Sequence, residues 1–509
     1  MRIAVLADIG QHTYHVGDEA IGLQACRLLQ DRGHKVTLIT RDIIATLRAT
    51  SDQTDAIWAT PFPINPGQRH LAYLHAKMVV DQAISSPTLL PSEVAYVDSE
   101  LVALVRELEQ VDALLIAGGG SLNSQYGWLF LERLLAMYIA QKLGKPYAIS
   151  GQTLGPALTE TDQDLATDIF NHAAILGWRD ESSLTLAKAT FPDANHQLVI
   201  DDASFFPHKV PNNQSAHGEK TEQYVLVSLN PETDDTLGAD PVKEWAKFLD
   251  KIHEITHLPT LLVPHMAPPR SNTWDEEFTN KVAKMMTSPV VALPVEQALV
   301  SANRVNRAAL VISARFHPMV FGLARAVPVI GLAQNAYTAV RMTGLCAHWQ
   351  RPDAVHDLSL ISSEESKTPA SSNSSSRLLS TIKKIWENRA EISKSLEERG
   401  NELQAIQAAW YDMLGILLQK QTPPGNYLQT IEQLSSSHSQ PPLPTDLSFP
   451  DLTARLDQER EEALAALSEQ ETVKADLFGL IGRHDTFADA RFAYDYHQGP
   501  WINRRPLTN

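Results

Sequence analysis

Cysteine is nearly absent. Cys26 and Cys346 are the only two in 509 residues, too few for a disulfide framework or a multi-cysteine metal site, and both are expected as buried, reduced thiols. Positive charge is outnumbered: Lys+Arg total 43 against Asp+Glu 60, a formal net charge of -17. That excludes the broadly basic surface nucleic-acid binding needs, but not a small anionic ligand, which a few arginines inside a cleft can hold. No run reaches the roughly 18 apolar residues of a membrane span. Met1–Asp8 is interrupted too early by Asp8 for a signal peptide, so a cytoplasmic protein is expected. A Walker Gly-Lys-Ser/Thr, a dinucleotide fingerprint and an HExxH pair are also missing, and no metal is indicated.

What is present is apolar and alternating. Hydrophobic residues make up 43% of the chain, enough for sizeable cores, and the length predicts about two to four domains. Arg2–Ala7 reads as a buried strand, Asp18–Arg32 as a helix closed by Gly33, and His34–Thr40 as the next strand, a βαβ unit. Strands at Asp112–Ala117, Pro146–Ser150 and Ala174–Trp178 alternate with helices at Leu129–Leu143, Asp162–Asn171 and Asp180–Ala189. A polar linker over 207–223 precedes a second series: strands Tyr224–Leu229, Thr260–Pro264, Val290–Ala292, Ala309–Ser313 and Val327–Leu332, with helices Pro241–Ile255, Trp274–Met286 and Val295–Asn306. The pattern predicts an α/β protein with two facing Rossmann-like domains, 1–206 and 224–358. A helical C-terminal extension follows: a Ser-rich loop over Ser362–Ser376, then 377–420 as one or two helices packing back on the core. Residues 435–509 read as a linker, an amphipathic helix over Asp451–Ile481 and an aromatic tail.

The chemistry-bearing residues fall at strand ends, where ligands of parallel sheets bind. Ser313-Ala314-Arg315-Phe316-His317 offers a donor fork and a proton-moving imidazole one residue apart; the bland alternative for His317 is a structural helix cap. His265 ends a strand on the same edge. In the first half, Gly17 allows close backbone approach. Asp18 either orients a hydroxyl, serves as a base, or caps the helix that follows. Gly118-Gly119-Gly120-Ser121 can cradle an anion or simply turn the chain. Gln152 and Thr153 supply neutral hydrogen bonds. Arg179 is either an anion clamp or one half of an ion pair with Asp180 or Glu181. Ser182 opens a helix, and Asp202 ends the first half beside the expected cleft.

Taken in order, these segments resemble the polysaccharide pyruvyl transferase family. They are Gly17-Asp18-Glu19-Ala20-Ile21, Ala117-Gly118-Gly119-Gly120-Ser121-Leu122, Gly151-Gln152-Thr153-Leu154-Gly155-Pro156, Arg179-Asp180-Glu181-Ser182-Ser183, Asp202-Ala203 and Ser313-Ala314-Arg315-Phe316-His317, with Pro328-Val329-Ile330-Gly331-Leu332 behind. The resemblance covers about residues 1–350. It implies two facing Rossmann halves similar to the GT-B glycosyltransferase architecture, with the acceptor on the N-terminal side and the donor on the C-terminal side. It implies transfer of the enolpyruvyl unit of phosphoenolpyruvate to sugar hydroxyls of an exopolysaccharide, a cell-wall glycan or its lipid-linked precursor, with no cofactor. The implied donor-binding residues are Arg315, Arg179, His265, Gly118, Gly119, Gly120 and Ser121. The implied substrate-binding residues are Gly17, Gln152, Thr153, Ser182 and Asp202, with His317 as general acid and Asp18 as base or sugar-orienting group. Peripheral association with membrane-bound polysaccharide machinery at the inner face and a homo-oligomer complete the expectation. Two positions depart from the family pattern. His15 stands where Asn is common, and Val340 where a Lys is usual, so that the adjacent Arg341 supplies the charge from a shifted register or the donor is handled differently. Sugar specificity is expected in the loops Pro61–Gln68 and Pro231–Gly238. The competing functions are a nucleotide-sugar glycosyltransferase of the same shape, for which Glu296 is the available ribose partner, and a non-catalytic polysaccharide-assembly protein.

Overall fold

The computed structural model describes residues 1–10, 13–51, 53–94, 96–206, 223–231, 234–238, 240–267, 274–362, 374–436 and 452–478. The first domain is built on an eight-stranded sheet. Its strands run Asp55–Trp58, Lys35–Thr40, Arg2–Leu6, Ala113–Ile116, Tyr147–Leu154, Leu176–Trp178 and His196–Leu198, with Gly119–Leu122 alongside Tyr147–Leu154. Every pairing in it is parallel. Helices cover both faces, so a strand such as Ala113-Leu114-Leu115-Ile116 is apolar and buried at every position. The second sheet is also parallel, in the order Val290–Ala292, Thr260–Leu262, Tyr224–Ser228, Ala308–Ser313, Val329–Ala333 and Val355–Asp357. These are the two facing Rossmann-like domains the alternating pattern predicts.

In each sheet the chain winds outward in both directions from a central pair. That pair is Arg2–Leu6 with Ala113–Ile116 in the first and Tyr224–Ser228 with Ala308–Ser313 in the second. The carboxyl ends of these pairs are the topological switch points where such sheets leave a crevice. Direct contacts tie the domains together there. Tyr14–His15 pairs antiparallel with Met266–Ala267, and the Val16 N–H donates to the His265 carbonyl at 3.0 Å. The first helix therefore begins at Val16, ahead of the expected Asp18, because the second domain satisfies an N–H that the helix itself leaves orphaned.

The long pattern after 377 is two helices, Ser374–Glu387 and Arg389–Leu417. The second returns to the first domain, where Trp410 Nε1 donates to Ser150 Oγ at 2.8 Å and Asp412 pairs with Arg32 at 2.6 Å. Gly177 faces the Trp410 ring, leaving no room for a β-carbon. Several elements were not anticipated. Helices Pro66–Ser85 and Tyr96–Glu109 and strand Asp55–Trp58 lie where no element was read. Pro66–Ser85 exposes Leu74 and Met78 while burying Tyr73, Ala76 and Val80, so it carries no one-sided apolar stripe to read. Helix Gly425–Ser436 follows Pro423-Pro424, where no element was read, anchored by buried Ile431 and Leu434. Helix Leu452–Phe478 falls within the predicted amphipathic segment, with Leu456 and Leu467 buried. The expected 207–223 linker, Ser-rich loop, 435–450 linker and aromatic tail lie largely or wholly outside the described residues. Both cysteines are buried, which pushes each thiol up to about 12. Among the described residues no helix is long and apolar enough to cross a membrane.

Candidate active site

The two switch points face each other across a cavity of about 600 Å³ lined from both domains. On the C-terminal side, Arg315 is the N-cap of helix Phe316–Ala324, directly after the central strand Ala308–Ser313. Its Nη2 donates to Asp275 Oδ1 at 2.5 Å, and Asp275 is fully buried. Its Nε is buried without a partner, so one edge of the fork is braced and another remains available to a ligand. His317, two residues on, borders the cavity with Nε2 unpartnered. Its imidazole is pushed down to about 3, first by burial, with Arg179, His265 and Arg341 acting in the same direction against Asp201. It is thus neutral at physiological pH, and it does not act as a hydrogen-bonded cap.

Arg341 enters the same space from helix Ala336–His348. Its guanidinium lies 4.2 Å from the Tyr337 ring centroid, and its Nε has no partner. Val340 instead packs on the hydrophobic core. The side chain one position along the helix lines the cavity, while Val340 packs toward the core. The Tyr337 hydroxyl beside it is also unpartnered.

On the N-terminal side, Gly17 lies directly against the His317 ring. A β-carbon at position 17 would lie 1.8 Å from Nδ1, so glycine is demanded by the approach of the other domain. Asp18 lines the cavity, and no side-chain cap is made to this helix, so the capping alternative does not hold. Burial, and after it the neighbouring charge of Asp8, push its carboxyl up to about 8 against the opposing pull of Arg179 and Arg133. Asp8, two residues past the central strand Arg2–Leu6, is paired with buried Arg133. Arg133 also touches Glu132, which holds Arg41 at 3.0 and 2.6 Å. Asp8 and Arg41 both reach the cavity wall. Gly120 and Ser121 line it as well, Ser121 with an unpartnered buried hydroxyl.

Arg179 also lines the cavity, but its ion pair is with Asp201 at 2.7 Å rather than with Asp180 or Glu181. Nε donates to Thr153 Oγ1 at 2.8 Å, and the guanidinium stacks 4.7 Å from the Phe316 centroid. Nη2 is the atom turned toward Gly120.

Several expected site residues sit behind this wall. Asp202 accepts from the Gly118 N–H at 2.9 Å and from Ser150 Oγ at 2.7 Å. Gln152 Nε2 donates to the Ala117 carbonyl at 2.5 Å, and Thr153 donates to Asp180 at 3.0 Å while bracing Arg179. Gly118, Gly119, Gln152, Thr153, Ser182 and Asp202 contribute nothing to the cavity lining. Five of them shape and hold the turns that do, while Ser182 lies in the first turn of helix Glu181–Thr190. His265 reaches the wall, but its Nδ1 lies 3.1 Å from both Ser228 Oγ and the Val263 carbonyl, and its ring is pushed down to about 4 by burial. Glu296 precedes its helix and is forked onto Arg304 at 2.9 and 2.5 Å, and it is not among the residues that line the cavity. No described residue of Pro61–Gln68 or Pro231–Gly238 lines the cavity; Gln125, Tyr126, Trp128 and Leu129 do. Those four, together with Asp8, Arg41, Asn230 and Tyr337, were missed as site residues. Their only sequence signal is position shortly after a buried strand, a signal they share with the residues that turned out to be braces. Among the described residues no group of His, Cys, Asp and Glu is placed to hold a metal ion.

A profile described as polysaccharide pyruvyl transferase matches residues 15–335. No curated protein matches the chain. Among solved structures, a glycosyltransferase from Rickettsia africae ESF-5 is similar with a TM-score of 0.46 at 11% identity, over 85% of this chain and 98% of that one. S. aureus MnaA in a co-structure with UDP gives 0.45 at 8% identity, over 79% and 94%. The spinosyn rhamnosyltransferase SpnG gives 0.43 at 15%, over 82% and 99%.

Proposed function

The chain belongs to the polysaccharide pyruvyl transferase family, and from that premise we propose that it transfers the enolpyruvyl unit of phosphoenolpyruvate to sugar hydroxyls of an exopolysaccharide, a cell-wall glycan or its lipid-linked precursor, leaving a pyruvate ketal. The observation that carries the reading is the convergence of Arg179, Arg315 and Arg341 on one cavity that also holds His317 and Asp18. Phosphoenolpyruvate presents a phosphate and a carboxylate on one small frame, and planar guanidinium forks match both groups. Arg315 and Arg179 are each paired with a carboxylate yet line the cavity with Arg341, and guanidiniums in a partly buried cleft attract such an anion more strongly than they would in open solvent.

The electrostatics reverse the roles expected for the two titratable groups. Asp18, pushed up to about 8, carries a proton at neutral pH, whereas His317, pushed down to about 3, is a free base. In the proposed reaction Asp18 protonates the methylene carbon of the donor. A sugar hydroxyl oxygen then bonds to the adjacent carbon as His317 takes its proton. The bond between that carbon and the phosphate oxygen breaks, and phosphate leaves with the electron pair. A second hydroxyl closes the ketal. One hydroxyl proton restores Asp18 and the other leaves on phosphate. Trp128 and Tyr126, whose rings meet edge to face at 5.7 Å, give the N-terminal wall an aromatic surface suited to a sugar ring, and we place the acceptor there.

Calorimetric titration of phosphoenolpyruvate against UDP- and GDP-sugars tests the donor. Binding of phosphoenolpyruvate, with phosphate released once a lipid-linked glycan extract is added, is the expected result. Tight nucleotide-sugar binding with no response to phosphoenolpyruvate overturns the reading.

A further inference from the structure

Helix Leu452–Phe478 lies outside the residues that match the family, yet it touches both domains beside the cavity. Leu456 and Leu467 are buried, and the helix packs on Pro66–Ser85 of the first domain and on Ala336–His348 of the second. Between these contacts sit two consecutive polar residues that reach in opposite directions. Glu459 Oε1 accepts from the Ala336 N–H at 2.9 Å and Oε2 from the Tyr337 N–H at 3.1 Å. Arg460 Nε donates to the Pro156 carbonyl of the first domain at 2.6 Å.

The Ala336 and Tyr337 amides open their helix and have no partner within it, and a carboxylate is the group a helix N-terminus favours. The third amide, Thr338 N–H, is taken by the Asn335 side chain at 2.8 Å. The first turn of Ala336–His348 is thus fully tied down, two of its three bonds coming from more than a hundred residues away. Among the described residues, helix Leu452–Phe478 contributes no side chain to the cavity wall. The Glu459 carboxylate therefore does not fill the site. It holds from behind the helix that carries Tyr337, Thr338 and Arg341 into it.

We infer that Glu459 and Arg460 form an interdomain clasp that sets where Tyr337 and Arg341 stand relative to the N-terminal wall, which makes Glu459 a positioning residue for the donor. This rests on reading the cavity as the phosphoenolpyruvate site. A tethered clasp of this kind fixes the width of the cleft without closing it, so donor affinity depends on it more than the chemical step does.

The test compares Glu459→Ala, Glu459→Gln and Arg460→Ala in the full-length protein by two readouts. Hydrogen–deuterium exchange of a peptide covering 334–342 reports the clasp whatever the reaction. Exchange faster in Glu459→Ala, partly restored in Glu459→Gln, which keeps one acceptor oxygen, is the expected result, and unchanged exchange overturns the clasp. The second readout is phosphoenolpyruvate affinity and turnover. KM is expected to rise about five- to tenfold in Glu459→Ala, the factor that loss of one helix-capping side chain carries, with kcat within about twofold, and Glu459→Gln in between. Faster exchange with KM unchanged, or with activity increased, overturns the positioning role. Wild-type protein that leaves phosphoenolpyruvate unbound overturns the functional reading and the donor role together, while the exchange result still decides the clasp.

Discussion

Gly17→Ala is the substitution for which local and tertiary arguments disagree most. Gly17 is the second residue of helix Val16–Gln30, and its φ is not positive. By helix propensity alone, alanine there gains up to about 1 kcal/mol. Against that, the new β-carbon falls 1.8 Å from His317 Nδ1, 2.1 Å from Cγ and 2.3 Å from Cε1. Ordinary carbon contacts lie near 3.5 Å, so the ring must retreat by more than about 1.5 Å. Phe316 meets the imidazole edge-on at 5.3 Å and Phe321 lies 6.2 Å away, which leaves the cavity as the direction of escape. Overpacking of this kind costs about 1–3 kcal/mol, partly offset by the propensity gain, so the melting temperature should fall by only a few degrees. A displacement of about 1 Å at a reacting group can cost about a hundredfold in rate. Phosphate release from phosphoenolpyruvate with an acceptor glycan should therefore drop by about that factor in a protein that remains folded. In a double-mutant cycle, Gly17→Ala added to His317→Ala should cost almost nothing further, because both act through one ring. Turnover within threefold of wild type for Gly17→Ala would refute the argument.

Arg315→Ala removes the partner of a fully buried carboxylate, Asp275, and should cost about 3 kcal/mol in denaturant unfolding as well as weakening donor binding; Arg315→Lys should recover part of the stability but little of the forked recognition. Arg341→Ala should weaken phosphoenolpyruvate binding about tenfold in calorimetry with the melting temperature unchanged, whereas Val340→Lys, which forces a charge onto the core side, should destabilise the fold instead of supplying a second clamp. With Asp18 as the proton donor, kcat/KM should be sustained at neutral pH and fall as pH rises through about 8, and Asp18→Asn should lose turnover while retaining donor binding. A flat alkaline profile would reassign the acid. His15, His265 and His317 are held at about 4, 4 and 3 in the fold, below the unfolded value near 6.5. The unfolded chain therefore binds more protons as pH falls through 6.5 toward 4, and stability should decline over that window in pH-dependent urea titrations.

Much of the architecture was legible because parallel strands buried on both faces leave continuous apolar runs, and these gave the order of elements in both domains. The helices that escaped notice have physical reasons for doing so. Pro66–Ser85 presents apolar residues to solvent as well as to the core, and Gly425–Ser436 begins directly after a Pro-Pro pair, which breaks a helix only in its interior. The site was legible to the level of the rim. Arg315, His317, Arg179, Gly17, Asp18, Gly120 and Ser121 all reach the cavity. Position at a strand end does not say which way a side chain turns, and Gln152, Thr153 and Asp202 turn inward to brace the loops beside them.

The sequence by itself determined two parallel α/β units, the strand ends that carry arginine, histidine and carboxylate, and the family they resemble, because burial and backbone geometry constrain residue type locally. Only the tertiary structure decided which of those residues meet. The approach of His317 to Gly17, the placing of Arg341 rather than Val340 at the cavity, the opposite pKa shifts of Asp18 and His317 and the hold of Glu459 on Ala336 and Tyr337 all join residues more than a hundred positions apart or depend on the burial that such joining creates. Desolvation and close packing act on the assembled cleft, and no local window of sequence contains them.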